Sequence, residues 1–445
     1  MRTRADGAAE ATTRQRRTGG LIALGAGSVV DGFEGGLVNT LFPVIRDALH
    51  LQTSALGILT AVSRFARMVA GPAWAVLADK YGRKKILVLA TGVWGLWTVA
   101  AGFAQNFTQL LILFGIGVLG TVASEPISNG LITDMYGPSE RGRAFGLLRT
   151  MATGGSVLGT PLIGQLAESP DGWRWGLYLM GGISVASALL ILALVPEPRR
   201  HLPVSDRRAE PGFTLRAVSE LLRTRTVLFM AVQAVLTTSV VLLSFFVTYF
   251  VDERGWSTAD AATLMAVFMV GAIAGGVSGG ILGDWCDRRF ARYGRIGLMQ
   301  IYLLAYAVST LLLFQLDWGH GVAVYAAAFV TGLIGFIGHP AAVLPIVGSV
   351  VPHEVVATAY ALIFSFVQGM VAALLSLVFG FLADTVGLEA LMFWGISLPY
   401  ALNAGLWALM YRIYPKDLET ARHRESAAAV PGLRDRRRAG GGAAP

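Results

Sequence analysis

Ala75-Val76-Leu77-Ala78-Asp79 closes a long apolar run, and its pattern returns three times. The copies are Gly164-Gln165-Leu166-Ala167-Glu168, Gly280-Ile281-Leu282-Gly283-Asp284 and Gly380-Phe381-Leu382-Ala383-Asp384. Each reads small residue, any residue, Leu, small residue, carboxylate. The carboxylates lie 89, 116 and 100 residues apart. A phrase recurring at that period in an apolar chain marks nested repeats of membrane-spanning helices.

Between the copies lie apolar runs of about 20 residues, long enough to cross roughly 30 Å of hydrocarbon. Twelve such runs fall at about 19–44, 54–78, 86–104, 109–133, 143–167, 175–195, 227–250, 259–283, 296–316, 321–350, 355–383 and 390–411. Three fit between successive copies. The expected fold is all-α and integral to the membrane: 12 transmembrane helices in two pseudo-symmetric six-helix bundles, each made of inverted 3+3 repeats. The expected boundaries are an N-terminal tail (1–18), a first bundle (19–196), a central loop (197–226), a second bundle (227–411) and a disordered C-terminal tail (412–445). Composition agrees. Hydrophobic residues are 54% and charged residues 14% of the 445, with mean hydropathy +0.59, where a soluble domain carries about 25% charged residues. The first run is too long for a signal-peptide core and is expected to stay as helix 1.

Charge orients the chain. With both termini in the cytoplasm, 30 of the 36 Lys and Arg residues fall in cytoplasmic segments, and three (Arg46, Arg174, Arg254) fall outside. This positive-inside asymmetry predicts a multi-pass protein of the cell membrane with both termini cytoplasmic. It also accounts for the net charge of +8 without nucleic acid: the basic residues are spread over loops facing anionic lipid, with no basic domain. The single Cys286 excludes a disulfide framework, and no phosphate-cradling GxxxxGK[ST] loop is present. Six scattered His and one Cys supply neither a nucleophile–base set nor metal ligands, so an enzyme, a metal and a cofactor are not expected. In the central loop, apolar residues at helical spacing from Phe213 to Leu222 fit a helix on the inner membrane surface, or a solvated tether.

The turn between the second and third runs, Leu77-Ala78-Asp79-Lys80-Tyr81-Gly82-Arg83-Lys84-Lys85, resembles the loop signature of the major facilitator superfamily, with Ala75 in place of the usual leading Gly. The second half echoes it in Gly280 to Asp284, with Arg288, Arg289 and Arg292 behind. Pro138-Ser139-Glu140-Arg141-Gly142-Arg143 and Pro196-Glu197-Pro198-Arg199-Arg200 are similar to other turns of that family. The resemblance implies a monomeric secondary transporter working by alternating access, with a central site formed by helices 1, 4, 7 and 10. It also implies that Asp79, Gly82 and Arg83, with Asp284 in the second half, act in gating. Asp79 and Arg83 would latch the two halves together in the outward-facing state. A purely topological role for the Lys/Arg run is the alternative.

The first bundle places Asp31, Glu34, Arg64, Arg67, Glu125 and Arg149 inside expected helices; the second places only His339. Six unpaired charges at about 2.5–3.5 kcal/mol each would exceed the ~5–15 kcal/mol stability of a typical fold, so they must be paired or hydrated. Asp31 and Glu34 share one face of helix 1, as Arg64 and Arg67 share one of helix 2. Helices 1 and 2 run antiparallel, and the index sums of Asp31 with Arg67 and of Glu34 with Arg64 are equal, so each pair matches in depth. Glu125 and Arg149 match likewise. The cluster suggests proton coupling, with Asp31 or Glu34 as carrier and Glu125 next; a permanent ion-pair network is the alternative. His339, before Pro340 in a loosened helix, suits substrate contact or plain packing.

Asp31-Gly32-Phe33-Glu34 resembles the helix 1 motif of aromatic-acid:proton symporters, which ends in Asp. Ser124-Glu125 is similar to a helix 4 segment of spinster-like transporters. Gly146, Gly155, Gly159, Pro161 and Gly164 approximate the antiporter motif of drug exporters, with Thr160 interposed. These glycines, and Gly271, Gly275 and Gly279 in helix 8, also suit close packing between the halves. The expected function is therefore secondary transport of a small organic substrate with protons. Organic-acid symport is one reading, export of drugs, amphipathic metabolites or lysolipids a second, and a non-transporting membrane sensor a remote third.

Overall fold

The computed structural model describes residues 2–196, 221, 224–237, 240–290, 293–352 and 355–429. These form twelve spans. The first bundle comprises α1 (Arg2–Leu49), α2 (Ser54–Tyr81), α3 (Arg83–Ala101), α4 in two pieces (Phe107–Thr121 and Ser124–Met135), α5 (Pro138–Leu166) and α6 (Gly172–Leu194). The second comprises α7 in two pieces (Arg225–Leu236 and Val240–Arg254), α8 (Thr258–Arg289), α9 (Gly294–Gln315), α10 (from Val322–Gly335 to Leu344–Val350), α11 (from Val356–Tyr360 to Gln368–Val386) and α12 (from Leu388–Met392 to Met410–Ala429). Nine helices among the described residues are long and apolar enough to cross a membrane. The other three spans are α2, α5 and α12; α2 carries Arg64 and Arg67 at mid-length, and α5 is rich in Gly, Ser and Thr.

Prolines set where helices break. Pro126 cannot donate to the Val122 carbonyl, and α4 is interrupted at 122–123. The break brings Ser124 and Glu125 to the start of a new helical piece. Pro340 acts similarly in α10, where the chain leaves the α-helix after Gly335 and re-enters through a π-helical turn at His339–Val343. Gly82 joins α2 to α3 at φ +107°, a conformation that favours glycine, and its N–H closes α2 on the Ala78 carbonyl at 2.9 Å.

Both ends of the chain carry more helix than expected. The N-terminal tail extends α1 from Arg2. The C-terminal tail, expected to be disordered from 412, is helical to Ala429. It is anchored because Asp417 accepts from both the N–H and the hydroxyl of Thr226 at 2.8 Å, capping α7, while Leu418 is buried beneath it. The central loop, including the stretch from Phe213 to Leu222, lies outside the described residues apart from 221 and 224–226, as does the tail beyond 429.

The glycine stripe of α8 packs within the second bundle and not between the halves. A Cβ on Gly271, Gly275, Gly279 or Gly283 would lie 2.0–2.5 Å from the carbonyls of Phe329, Leu333, Ile337 and Ala341, all on α10. The register advances by four on both helices, so two backbones touch along three turns. On α5, Gly155 meets the Val29 carbonyl and Gly159 the Phe33 ring, both on α1. Only Gly164 meets the other half, against Ala259 and Ala262 of α8. The halves join along α5–α8 and α2–α11.

Gly275→Val forces a side chain into the Leu333 carbonyl and should cost about 1–3 kcal/mol, the usual range for overpacking. Gly276→Ala points into open space and should leave thermal unfolding of the detergent-purified protein unchanged. Equal melting points for the two variants would contradict the α8–α10 contact.

Candidate functional site

A cavity of about 920 Å³ lies between the bundles. α1, α2, α4 and α5 supply most of its wall, α3 and α6 add Thr98, Ala101 and Leu177, and α7 and α8 add Leu243, Ser244, Val247, Met265 and Met269. All six ionisable residues expected within the first bundle line it. The second bundle adds no ionisable lining residue among those described. α10 also contributes none, contrary to the expected set of helices 1, 4, 7 and 10; it is held against α8 by the glycine stripe. His339 lies outside the lining, with its ring edge-on to Phe364 of α11 at 4.9 Å between centroids. α2 and α5 take a larger share of the wall than the sequence suggested.

Within the cavity, one of the depth-matched pairs forms. Arg149 donates to Glu125 at 2.8 Å, and their side chains are 77% and 60% exposed, so this end of the cavity is wet. Asp31 and Glu34 are bound differently. Asp31 accepts a hydrogen bond from Ser124 at 2.6 Å, and Glu34 accepts one from Thr98 at 3.0 Å. Neither carboxylate has an arginine nitrogen within 4 Å among the described residues. The four side chains line one cavity, but the carboxylates turn toward α4 and α3. Arg67 lines the same cavity as both carboxylates. Arg64 reaches across to the second bundle, donating to Ser244 at 3.0 Å. Thr98 and Ser244 were not singled out from sequence, and Ser124 was noted only beside Glu125, not as a partner of Asp31. The available signal was a hydroxyl at the depth of a buried charge, and Ser and Thr are too common in such helices to stand out.

On the face bearing the α2–α3 and α8–α9 turns, Arg83 donates to Asp79 at 2.7 Å, to Asp134 at 3.0 Å and to the Gly130 carbonyl at 2.6 Å. Arg295 repeats this arrangement in the second bundle, donating to Asp284 at 3.0 Å and to the Ala341 carbonyl at 2.6 Å. Each cluster stays within its own bundle. On the far face the bundles are tied to each other. Arg46 of α1 pairs with Asp252 of α7 at 2.5 Å. Asp384, the carboxylate of the fourth copy, accepts from the Thr53 N–H at 2.8 Å and the Ser54 N–H at 3.2 Å, at the start of α2. Just below, Gly57 and Gly380 bring α2 and α11 into backbone contact. The cavity is therefore shut toward the far face.

The sequence pattern of the Major Facilitator Superfamily matches residues 24–375. The chain is 24% identical over 305 residues to a hexuronate transporter of Bacillus subtilis (strain 168), covering 66% of this chain and 70% of that protein. It is 23% identical over 303 residues to the quinolone resistance protein NorA of Staphylococcus aureus (strain MSSA476), covering 68% and 74%. The fold is similar to that of a bacterial homologue of the human lysosomal transporter Spinster in an inward-facing, unoccupied conformation, with TM-score 0.71 and 21% identity over 91% of this chain and 93% of that one.

Asp384→Ala removes the acceptor for two helix-start N–H groups that bridge the bundles. In a Cys286→Ser background, spin labels at Gln52 and Thr385 should report a new population at longer distance. An unchanged distance distribution would show that Asp384 does not hold the far face closed.

Proposed function

The chain belongs to the Major Facilitator Superfamily, a family of secondary transporters and not of enzymes, and on that premise we propose that it carries a small organic solute coupled to protons. The observation that supports coupling is the nature of the partners of Asp31 and Glu34. A hydroxyl donates to an ionised carboxylate and accepts from a protonated one. Ser124 and Thr98 therefore suit both states of their carboxylates, whereas a close arginine would hold them ionised. The carrier works by alternating access, with the cavity exposed in turn to either side of the cell membrane and both termini in the cytoplasm. It acts as a monomer. Asp79 and Arg83, with Asp284 and Arg295, serve the opposite gate from Asp384 and Arg46.

An organic acid moving in symport is the favoured cargo reading, supported by the cavity arginines and by the likeness to a hexuronate transporter. Proton-driven export is the second reading, supported by the likeness to a quinolone resistance protein. The α5 glycines do not separate the two, because they pack mainly on α1 of their own bundle.

A proteoliposome screen of organic acids and drugs under an imposed pH gradient tests both readings and gives the direction. Once a transported solute is found, Asp31→Asn and Glu34→Gln should abolish gradient-driven accumulation while keeping exchange of labelled for unlabelled solute. If both variants still accumulate solute on the gradient, the proton site lies elsewhere. If no solute exchanges at all, the chain is a sensor and the carrier reading fails.

A further inference from the structure

The cavity charges are not used equally. Glu125 and Arg149 pair with each other, and Asp31 and Glu34 accept from hydroxyls of neighbouring helices. Arg64 is turned toward Ser244 of the second bundle. Arg67 lies one turn beyond Arg64 on the same face of α2, lines the cavity and is exposed. Among the described residues it makes no hydrogen bond and no ion pair. A guanidinium presents five N–H donors in a planar fork matched to a carboxylate, and an ionisable side chain kept within a membrane span marks a substrate or ion site by default.

The rest of the wall says what such an anion would look like. The second bundle offers Leu243, Val247, Met265 and Met269, and its one hydroxyl, Ser244, is taken by Arg64. Five of the eleven hydroxyls that the first bundle brings to the wall turn to backbone carbonyls. Ser28, Thr121, Thr153, Ser156 and Thr160 all donate to backbone carbonyls. Asn39, Ser63 and Asn129 of the first bundle remain open to the polar part of a solute, while on the side of the second bundle an apolar body would meet methionine and branched aliphatic side chains that adapt to shape. The volume lies within the usual range of about 300–1,000 Å³ for small-molecule pockets.

We propose that Arg67 is the anion-binding residue of this cavity and that its ligand is a monocarboxylate with an apolar body lying against α7 and α8. This deepens the carrier reading above and rests on it for the role of the cavity, but it does not require proton coupling. The charged groups that share the cavity with Arg67 are Asp31 and Glu34 of α1, Glu125 of α4, Arg149 of α5 and, on its own helix, Arg64. The same arrangement links the two loads. Each proton taken up by Asp31 or Glu34 removes a negative charge from beside Arg67, so anion affinity should rise as pH falls, and the effect is reciprocal.

Equilibrium binding to the protein in nanodiscs, with no gradient, tests the site. The probes are octanoate, phenylacetate and 3-phenylpropionate, with phenylacetamide and glucuronate as comparisons. At least one apolar monocarboxylate should bind at least tenfold more tightly than phenylacetamide and glucuronate. Arg67→Gln should lose at least tenfold in that affinity, and Arg67→Lys should fall between. Melting temperature and monodispersity establish that each variant is folded, and the lysine variant keeps the test available if glutamine is not tolerated. The proposal is overturned if Arg67→Gln binds every probe as tightly as the parent, or if phenylacetamide or glucuronate binds best. Binding that depends on Arg67 but not on pH would leave the anion site standing and remove the proton linkage. Failure of Asp31→Asn and Glu34→Gln to uncouple transport would strike only the coupling reading.

Discussion

Hydrocarbon does not solvate charge, and this chain puts six charged side chains into one six-helix bundle. Much of the architecture follows from that constraint. A charge at mid-bilayer is tolerable where it faces water or a partner, so the bundle must enclose a hydrated space and turn all six side chains into it, as it does. The helix segments flanking them must then be polar enough to line a cavity. For that reason α2 and α5, which carry or face these charges, fall short of the apolar character that marks nine of the spans. The break at Pro126 serves the same end, since it starts a new helical piece at Ser124 and Glu125, both of which bind charged partners.

The two bundles share a plan and divide the work. The first supplies titratable and cationic groups. The second supplies a mostly apolar wall and a stiff pair of helices, α8 and α10, pressed together through glycines at spacing four. With that pair fixed, α10 stays away from the cavity, and at the cavity wall the hydrogen bond from Arg64 to Ser244 joins the charged bundle to the apolar one. A ligand resting on Arg67 would sit one turn from that link. Occupancy would thus act next to a contact that has to change when the bundles move.

Much of this was legible in the sequence. The spans, their division into two halves and the six embedded charges follow from hydropathy and helical spacing, because transfer energies are large and local. Depth matching foretold the Glu125–Arg149 pair. It did not foretell Ser124 and Thr98 as partners of Asp31 and Glu34, because depth fixes height along the membrane normal but not rotation about the helix axis. The glycine stripe was read as an interface between halves, while its partner proved to be α10 of the same bundle. Close packing is visible in a sequence; the helix it packs against is not. The helical C-terminal tail was missed because its anchor, Asp417 on Thr226, joins residues 191 positions apart.

The fourfold phrase shows how one local pattern takes two roles from its position. In the far-face copies the first small residue touches the opposite bundle: Gly164 meets α8, and Gly380 meets α2. In the copies on the other face the fourth small residue packs inside its own bundle, Gly283 against Ala341 and Ala78 in the core, while the carboxylate holds Arg295 or Arg83. There the first position is slack: Gly280 has nothing within 4 Å, and Ala75 is half-buried. If the bundles rock about the central cavity, closing the face now open must open the face now closed. The inverted repeats then make Ala75 and Gly280 the positions that inherit the contacts Gly164 and Gly380 give up. On that reading a small residue suits all four sites, although in this structure only Gly164 and Gly380 touch the opposite bundle.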